Sequence, residues 1–417
     1  MNKRFIVTML ALPLALSSAF AQETGVSAVK ISGFGTGALT WANADKAQFG
    51  RSNQASGVSD QPGTGVDSNL GLQASVNVNS WLSATAQGLV RRDAEDDFGA
   101  ELAWAFAKAR ISDQLSVRVG RMGLPVFMIS DYRNVGYANT LVRPPIEMYS
   151  QVPFNSIDGI DATWQQGFGN TTVTAQLALG NTTTKLAGGY HIETKNIVAL
   201  NLVAETGPLT LRFGRANGTA TISDAPALNT LLGSLRAAGA GYRFAQLPVL
   251  ADDLSVVDKK ASFTSAGLGL DWNNIVVQSE VAKRKTDAYI NDTTSWYVMG
   301  GYRIGKFLPY VSHSTTSIDS TVANTVPASC PAGYPAACTP TMQALSAGVN
   351  SLRGAGNGQG EQSTNAIGLR WDFRNSVALK VQFDRVKPKN GPGLFLKPQP
   401  GFTGPVTVGT LALDFVF

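Results

Sequence analysis

The stretch T-L-A-L-D-F-V-F at residues 410–417 decides the fold. Leu411, Leu413, Phe415 and Phe417 occupy every second position, with Thr410, Ala412, Asp414 and Val416 between them. Alternation with period two places one set on each face of a strand. A chain end that is not tied down frays. This one carries an apolar face, so it needs a pairing neighbour and a non-aqueous surrounding.

The same pattern recurs along the chain. Leu70, Leu72, Ala74, Val76 and Val78 alternate with Gln73, Ser75 and Asn77. Leu82, Ala84, Ala86 and Val90 are opposed by Ser83, Thr85, Gln87 and Arg91. Leu102, Trp104 and Phe106 follow, then Leu115, Val117 and Val119, and the rows Leu209/Leu211/Phe213 and Val377/Leu379/Val381/Phe383 lie further on. Sixteen strands are expected, at 28–42, 67–79, 81–91, 100–111, 115–122, 158–167, 170–180, 195–205, 208–216, 261–272, 275–285, 294–304, 307–316, 363–373, 376–386 and 406–417. Their connections alternate between long segments and tight turns rich in Asn, Gly and Asp. Length therefore sorts the connections to two ends, as in an up-and-down barrel of the outer membrane with short inner turns and long external loops. A secreted β-sandwich would not sort its loops this way.

Composition and leader agree. Residues 1–21 read as a secretory signal: Lys3 and Arg4, an apolar run from Phe5 to Leu16, then Ala19-Phe20-Ala21. This leaves 22–417 as a single barrel domain. No later apolar run reaches the roughly 18 residues of a membrane helix. Charged residues are 15% of the chain, against about a quarter in soluble domains. Net charge is +5 before Lys3 and Arg4 are removed, with no basic block, so nucleic acid is not an expected partner. Cys330 and Cys338 are the only cysteines, and in an exported protein their spacing suggests one local disulfide.

In hydrocarbon every backbone N–H and C=O must be paired within the protein, so a spanning sheet has to close. The last strand is expected to pair with the first, with Phe417 in the aromatic girdle. The opposite parity then lines the lumen: Arg118, Arg212, Glu280, Arg284, Arg303, Arg370 and Lys380 among Ser, Thr, Gln and Asn. Sixteen strands enclose a water-filled space, and the default function is passage of polar solutes. The segment 121–157, after the fifth strand, is too apolar for a solvated loop: it holds Val126-Phe127-Met128-Ile129 beside Asp131, Tyr132, Arg133, Arg143 and Glu147. It is expected to fold into the lumen, pack its apolar part on the wall and narrow the channel.

The signal, the loop–turn alternation, the terminal Phe and this long third loop resemble the Gram-negative porins, sixteen-stranded trimeric channels. R-V-G-R-M-G-L-P-V-F at 118–127 is similar to the segment entering that loop in porin-like proteins, including the phosphate-selective group. The resemblance implies a homotrimer, outer-membrane lipids as surroundings, recognition of the C-terminal tail by the barrel-assembly machinery, and an eyelet with basic and acidic sides. Carried over, Asp131, Tyr132, Arg133, Arg143 and Glu147 are the constriction residues, and Arg118, Arg212, Arg284, Arg303, Arg370 and Lys380 the pore wall.

Simpler roles stand beside these. The wall arginines also read as solvated or paired lumen charges, and Asp131 with Arg133 as a salt bridge shaping the loop. Trp104, Trp296 and Trp371 read as lipid-facing or girdle residues, and G-F-G-T-G at 33–37 as close packing at a subunit interface. No catalytic motif, cofactor or metal site is expected. His313 between Ser312 and Ser314 is the weak opening for a barrel hydrolase. A plug-bearing receptor lacks room at the N-terminus, and a hydrophobic-substrate transporter lacks an apolar hatch. The expected function is a diffusion channel with mild anion preference; a channel selective for small carboxylates or phosphate, using Arg133 and Arg143, is the alternative.

Overall fold

The structure, a computed structural model, describes residues 28–353 and 360–417. The expected signal peptide at 1–21 and most of the glycine run at 354–360 lie outside the described residues. Sixteen strands form one closed ring in which every strand pairs antiparallel with its sequence neighbours and the last with the first. They are β1 (Lys30–Ala42), β2 (Asn69–Asn77), β3 (Leu82–Arg92), β4 (Phe98–Arg110), β5 (Leu115–Gly123), β6 (Ser156–Phe168), β7 (Thr171–Lys185) and β8 (His191–Thr206). The second half is β9 (Leu209–Ser223), β10 (Lys259–Trp272), β11 (Ile275–Thr286), β12 (Asp292–Tyr302), β13 (Phe307–Ser320), β14 (Glu361–Arg374), β15 (Val377–Lys389) and β16 (Val406–Val416). All sixteen expected strands are present, shifted at their ends by a few residues.

The faces are sorted opposite to those of a soluble protein. Leu72, Leu179, Leu202, Leu211, Val298, Ile367 and Leu411 are exposed on the outer surface. Thr36, Gln176, Ser265, Ser295, Gln382 and Asp414 are buried on the inner one. An exposed apolar band of this kind is stable only in lipid. Trp272, Tyr302, Phe307, Trp371, Phe373 and Phe417 are exposed toward the tight-turn end, where an aromatic girdle belongs. The seam is complete to the last residue: Gly33 and Phe417 exchange backbone hydrogen bonds of 2.9 and 3.0 Å. The Phe417 ring lies over Gly33, where a side chain would collide with it.

Three local features depart from the alternation. In β4, Trp104 faces Gln87 and Leu102 faces Gly88, so Ala103 is an extra residue in a β-bulge. The bulge sends Leu102 outward but turns Trp104 and Phe106 into the lumen, a correction to the reading of Trp104 as a lipid-facing or girdle residue. Second, the expected long loop at 181–194 is mostly strand, since β7 runs to Lys185 and β8 begins at His191. Above the bilayer an outward residue need not be apolar, so N-T-T-T-K at 181–185 carries no alternation signal.

Third, the connections 217–260 and 317–362 carry helical segments. They contain α2 (Pro226–Tyr242), α3 (Gln246–Leu254) and α4 (Cys338–Arg353), while α1 (Ile146–Tyr149) lies in the third long connection. Pro226 opens α2 and Arg243, at φ 59°, ends it. Leu228, Leu232 and Leu235 share one face of α2 and pack with Leu247, Leu250, Leu254, Met342, Leu345 and Val349. This is a small helical cap with its own core on the long-connection end. A disulfide between Cys330 and Cys338 staples the entry to α4.

Candidate functional site

The connection between β5 and β6 folds into the barrel. Its neck is closed by Leu124 N–H donating to Asn155 O at 2.9 Å. Val126 and Phe127 are buried against small or apolar inner-wall residues, Ala199, Ala216, Phe263 and Ala282, and Phe127 stacks on Tyr149 at 4.5 Å. The wall beneath the loop is therefore locally apolar, and the polar inner parity gives way where the loop covers it.

Polar fastenings then track the loop around the wall. Arg212 donates to the carbonyls of Pro125 and Val126 at 2.7 and 3.0 Å. Glu280 accepts from Met128 N–H at 2.6 Å and from the hydroxyls of Tyr149 and Tyr297 at 2.5 and 3.1 Å. Lys380 donates to the carbonyls of Gly136, Asn139 and Leu141 at 2.8, 2.6 and 3.1 Å. Arg370 donates to Tyr137 O and Asn139 O at 2.8 and 3.0 Å and stacks over the Tyr137 ring. Arg284 reaches Gln151 O at 3.2 Å. Turns in the loop leave most of these carbonyls without a backbone partner, and the cations satisfy them; Gly136 O also accepts from Asn139 N–H at 2.9 Å.

Two loop residues reach the wall in return. Arg143, only 3% exposed, pairs with Asp67 at 2.7 Å and Asp384 at 2.6 Å and donates to Thr410. Burial alone would disfavour the charged forms of Asp67 and Arg143. Their mutual attraction outweighs it, holding Asp67 below the usual carboxylate range and raising Arg143. Glu147, 2% exposed, accepts from Ser314, Gln362 and Thr364 at 2.7, 2.6 and 2.5 Å.

The expected site residues thus fall into groups. Arg143 and Glu147 are enclosed between loop and wall rather than presented to the opening. Of the wall cations, Arg212, Arg284, Arg370 and Lys380 are turned onto the loop backbone. Arg118 lies over the Phe106 ring and makes a two-pronged pair with Asp161, at 3.0 and 2.5 Å. Arg303 sits at the tight-turn rim and pairs with Asp271. Only Asp131, Tyr132 and Arg133 stand at the loop's open side. Asp131 and Tyr132 are exposed and Arg133 is half-buried, and no salt bridge joins Asp131 to Arg133.

A cavity of about 300 Å³ runs between this part of the loop and the wall of β3, β4 and β7. Its lining includes Arg51, Arg91, Glu101, Trp104, Asp131 and Asn134. Arg91 pairs with Glu101 at 3.0 Å. Among the described residues the guanidinium groups of Arg51 and Arg133 have no hydrogen-bond or ion-pair partner. Burial, then the like charges of Arg91 and Arg51, loosen the hold of Arg133 on its proton, although a guanidinium stays charged at neutral pH. Arg51, Arg91, Arg92 and Arg121 thus line one opening, and Arg133 lies near enough to Arg51 and Arg91 to feel their charge. Sequence reasoning placed Arg91 on the polar parity but did not single it out. Arg51 lies in an aperiodic connection that gives no signal, and the bulge hid Trp104.

A closed antiparallel barrel with an apolar exterior and a loop fastened inside it is the architecture of a transmembrane β-barrel protein. No protein-family model matches the chain, and no curated protein matches it. Solved structures do match in shape. OmpF of Salmonella typhi, in complex with daunomycin, is 12% identical with a TM-score of 0.56, over 94% of this chain and 98% of that one. The anion-selective porin from Comamonas acidovorans is 12% identical with a TM-score of 0.53, over 94% and 100%. OmpT, an outer membrane protein of Vibrio cholerae, is 9% identical with a TM-score of 0.53, over 95% and 100%. Such identities speak for the fold: this chain has the sixteen-stranded barrel fold of outer-membrane porins.

Proposed function

We propose that this protein is an outer-membrane porin, a water-filled channel through which small polar solutes diffuse with a mild preference for anions. The observation that carries the preference is the opening lined by Arg51 and Arg91, with Arg133 close enough to feel both charges and the guanidinium groups of Arg51 and Arg133 unpaired among the described residues. Fixed cations at a low-dielectric constriction raise the local concentration of anions and repel cations. Asp131 and Glu101 offset part of that field, which keeps the preference mild. No bond is made or broken, so the chain acts without a cofactor and not as an enzyme.

Residues 1–21 direct export, Phe417 is the tail read by the barrel-assembly machinery, and the barrel resides among outer-membrane lipids. A homotrimer is the assembly we favour. Ala74, Ala84, Ala86, Ala105 and Ala107 give the outer face of β2–β4 a flat, small-residue surface that lets a second barrel approach closely. A selective site for small carboxylates or phosphate rests on Arg133 with Arg51 and Arg91, because Arg143 is committed to Asp67 and Asp384. The hydrolase reading has less to stand on: His313 is directed outward, 5.2 Å from the Trp296 ring, and contacts Asn365. The test is single-channel recording of purified protein in a planar bilayer, with reversal potential measured in a salt gradient. Stable conductance with an anion-side reversal potential is expected; clear cation selectivity overturns the preference, and a closed barrel overturns the channel.

A further inference from the structure

The outer face of β9, β10 and β11 changes character abruptly. Phe213, Ala266 and Val281 lie side by side in register and are exposed. One step toward the long-connection end, the next outward row is Arg215, Thr264 and Lys283. One step further, Ser262 stands opposite Lys285. Cations from adjacent strands therefore sit directly above an apolar row, where a membrane's hydrocarbon ends and its headgroups begin. A groove of about 400 Å³ is cut into this surface, with Phe213, Ala266 and Val281 in its lining together with Arg215, Lys283 and Lys285.

The cations are not consumed by partners on the protein. Arg215 is held flat by neutral groups, donating to Asn217 Oδ1 at 3.1 and 2.7 Å and to Thr264 Oγ1 at 2.5 Å. Lys285 has no side-chain partner among the described residues. Lys283 lies 3.1 Å from Asp319, which also accepts from Thr294. That single acid leaves the cluster positive overall. A cluster of this charge above an exposed apolar floor complements one chemistry: a phosphate group carried on acyl chains.

We propose that the outer face of β9–β11 binds a phosphorylated membrane lipid, with acyl chains on Phe213, Ala266 and Val281 and the phosphate between Arg215, Lys283 and Lys285. This rests on the membrane placement of the barrel in the preceding section but not on its being an open channel. The site lies on the leaflet facing the long connections and is outside the lumen, so it holds a lipid without touching the solute path.

The experiment is native mass spectrometry of the full chain in detergent, titrated with dioleoylphosphatidate or with dioleoylphosphatidylcholine. Wild-type protein is expected to retain phosphatidate with a preference on the order of tenfold. The triple variant Arg215→Gln/Lys283→Gln/Lys285→Gln loses that preference, and Lys306→Gln, at the tight-turn end, keeps it. Equal retention of the two lipids by wild type, or an unchanged preference in the triple variant, overturns the proposal. Displacement of phosphatidate by millimolar inorganic phosphate also overturns it, because the apolar floor would then contribute nothing. Conductance of the same samples is read separately: a non-conducting wild type sinks the channel and leaves this site standing, whereas a conducting triple variant without lipid preference supports both.

Discussion

Lys380 on β15 and Asp414 on β16 stand 2.8 Å apart, with side chains fully buried inside the wall. The contact is ionic rather than an aligned hydrogen bond, since the donors of Lys380 are directed at three carbonyls of the inserted loop. Asp414 in turn accepts from Thr36 on β1 at 2.6 Å. One ammonium thus couples the seam of the barrel to the loop that narrows it. Desolvating such a pair costs about as much as its attraction returns, so its effect is on position more than on stability.

Removing one partner is a different matter. Lys380→Met leaves Asp414 buried and uncompensated, at a cost of about 3–5 kcal/mol, and frees three loop carbonyls. The midpoint of urea unfolding in detergent is expected to fall. Single channels should become larger and noisier as the loop loses its hold. Lys380→Met/Asp414→Leu should regain most of the stability but not the quiet conductance.

Neutralising the opening acts without unfolding anything. In Arg51→Gln/Arg91→Gln/Arg133→Gln the anion-to-cation permeability ratio should drop toward unity, by up to about tenfold. Asp131→Asn should raise it. Reversal potentials of the two variants in one salt gradient decide the matter, and movement in the same direction would contradict this account.

The tether from Arg143 to Asp67 has a defined pH range. The folded-state pKa of Asp67 is depressed, so its contribution is complete above the unfolded-chain value near 3.9. It fades as pH falls through the lower folded value. Conductance noise should therefore stay constant from neutral pH to about pH 4 and rise below that. Asp67→Asn should show the noisy state already at neutral pH.

Gly136 lies against Asp414 and Thr36 so closely that a Cβ there would collide with both carboxylate and hydroxyl. Gly136→Val should push the loop off the wall into the lumen and lower single-channel conductance, with the barrel still closed. A wider channel in this variant would place the loop's hinge elsewhere.

The disulfide stabilises only the cap. Closing the short Cys330–Cys338 loop is worth about 2–3 kcal/mol, and no strand depends on it. Cys330→Ser/Cys338→Ser should make 317–353 sensitive to protease while the barrel stays resistant, and limited proteolysis followed by gel mobility reads both.

The barrel was legible because alternation is enforced by two solvents at once: lipid on Leu411 and water or loop on Thr410. Where only one solvent acts, the signal fades, and the strand ends of β7 and β8 above the membrane went unread. The bulge at Ala103 inverted the reading of Trp104 because a single inserted residue exchanges the faces downstream of it. The lumen was harder to read. A wall cation that meets loop carbonyls and one that lines the cavity occupy the same parity, so Lys380 and Arg91 look equivalent in sequence. Only the path of 124–155 across the interior separates a fastening from a free charge.

The pairing of Phe34 with Val416 joins segments from opposite ends of synthesis. No nascent fragment lacking β16 can satisfy the open edge of β1, and contacts of such sequence separation form slowly. Until the final strand is captured, the chain has two unsatisfied borders and an uncovered oily surface. The export route proposed above would therefore require escorts that bind extended polypeptide and release it only at the bilayer.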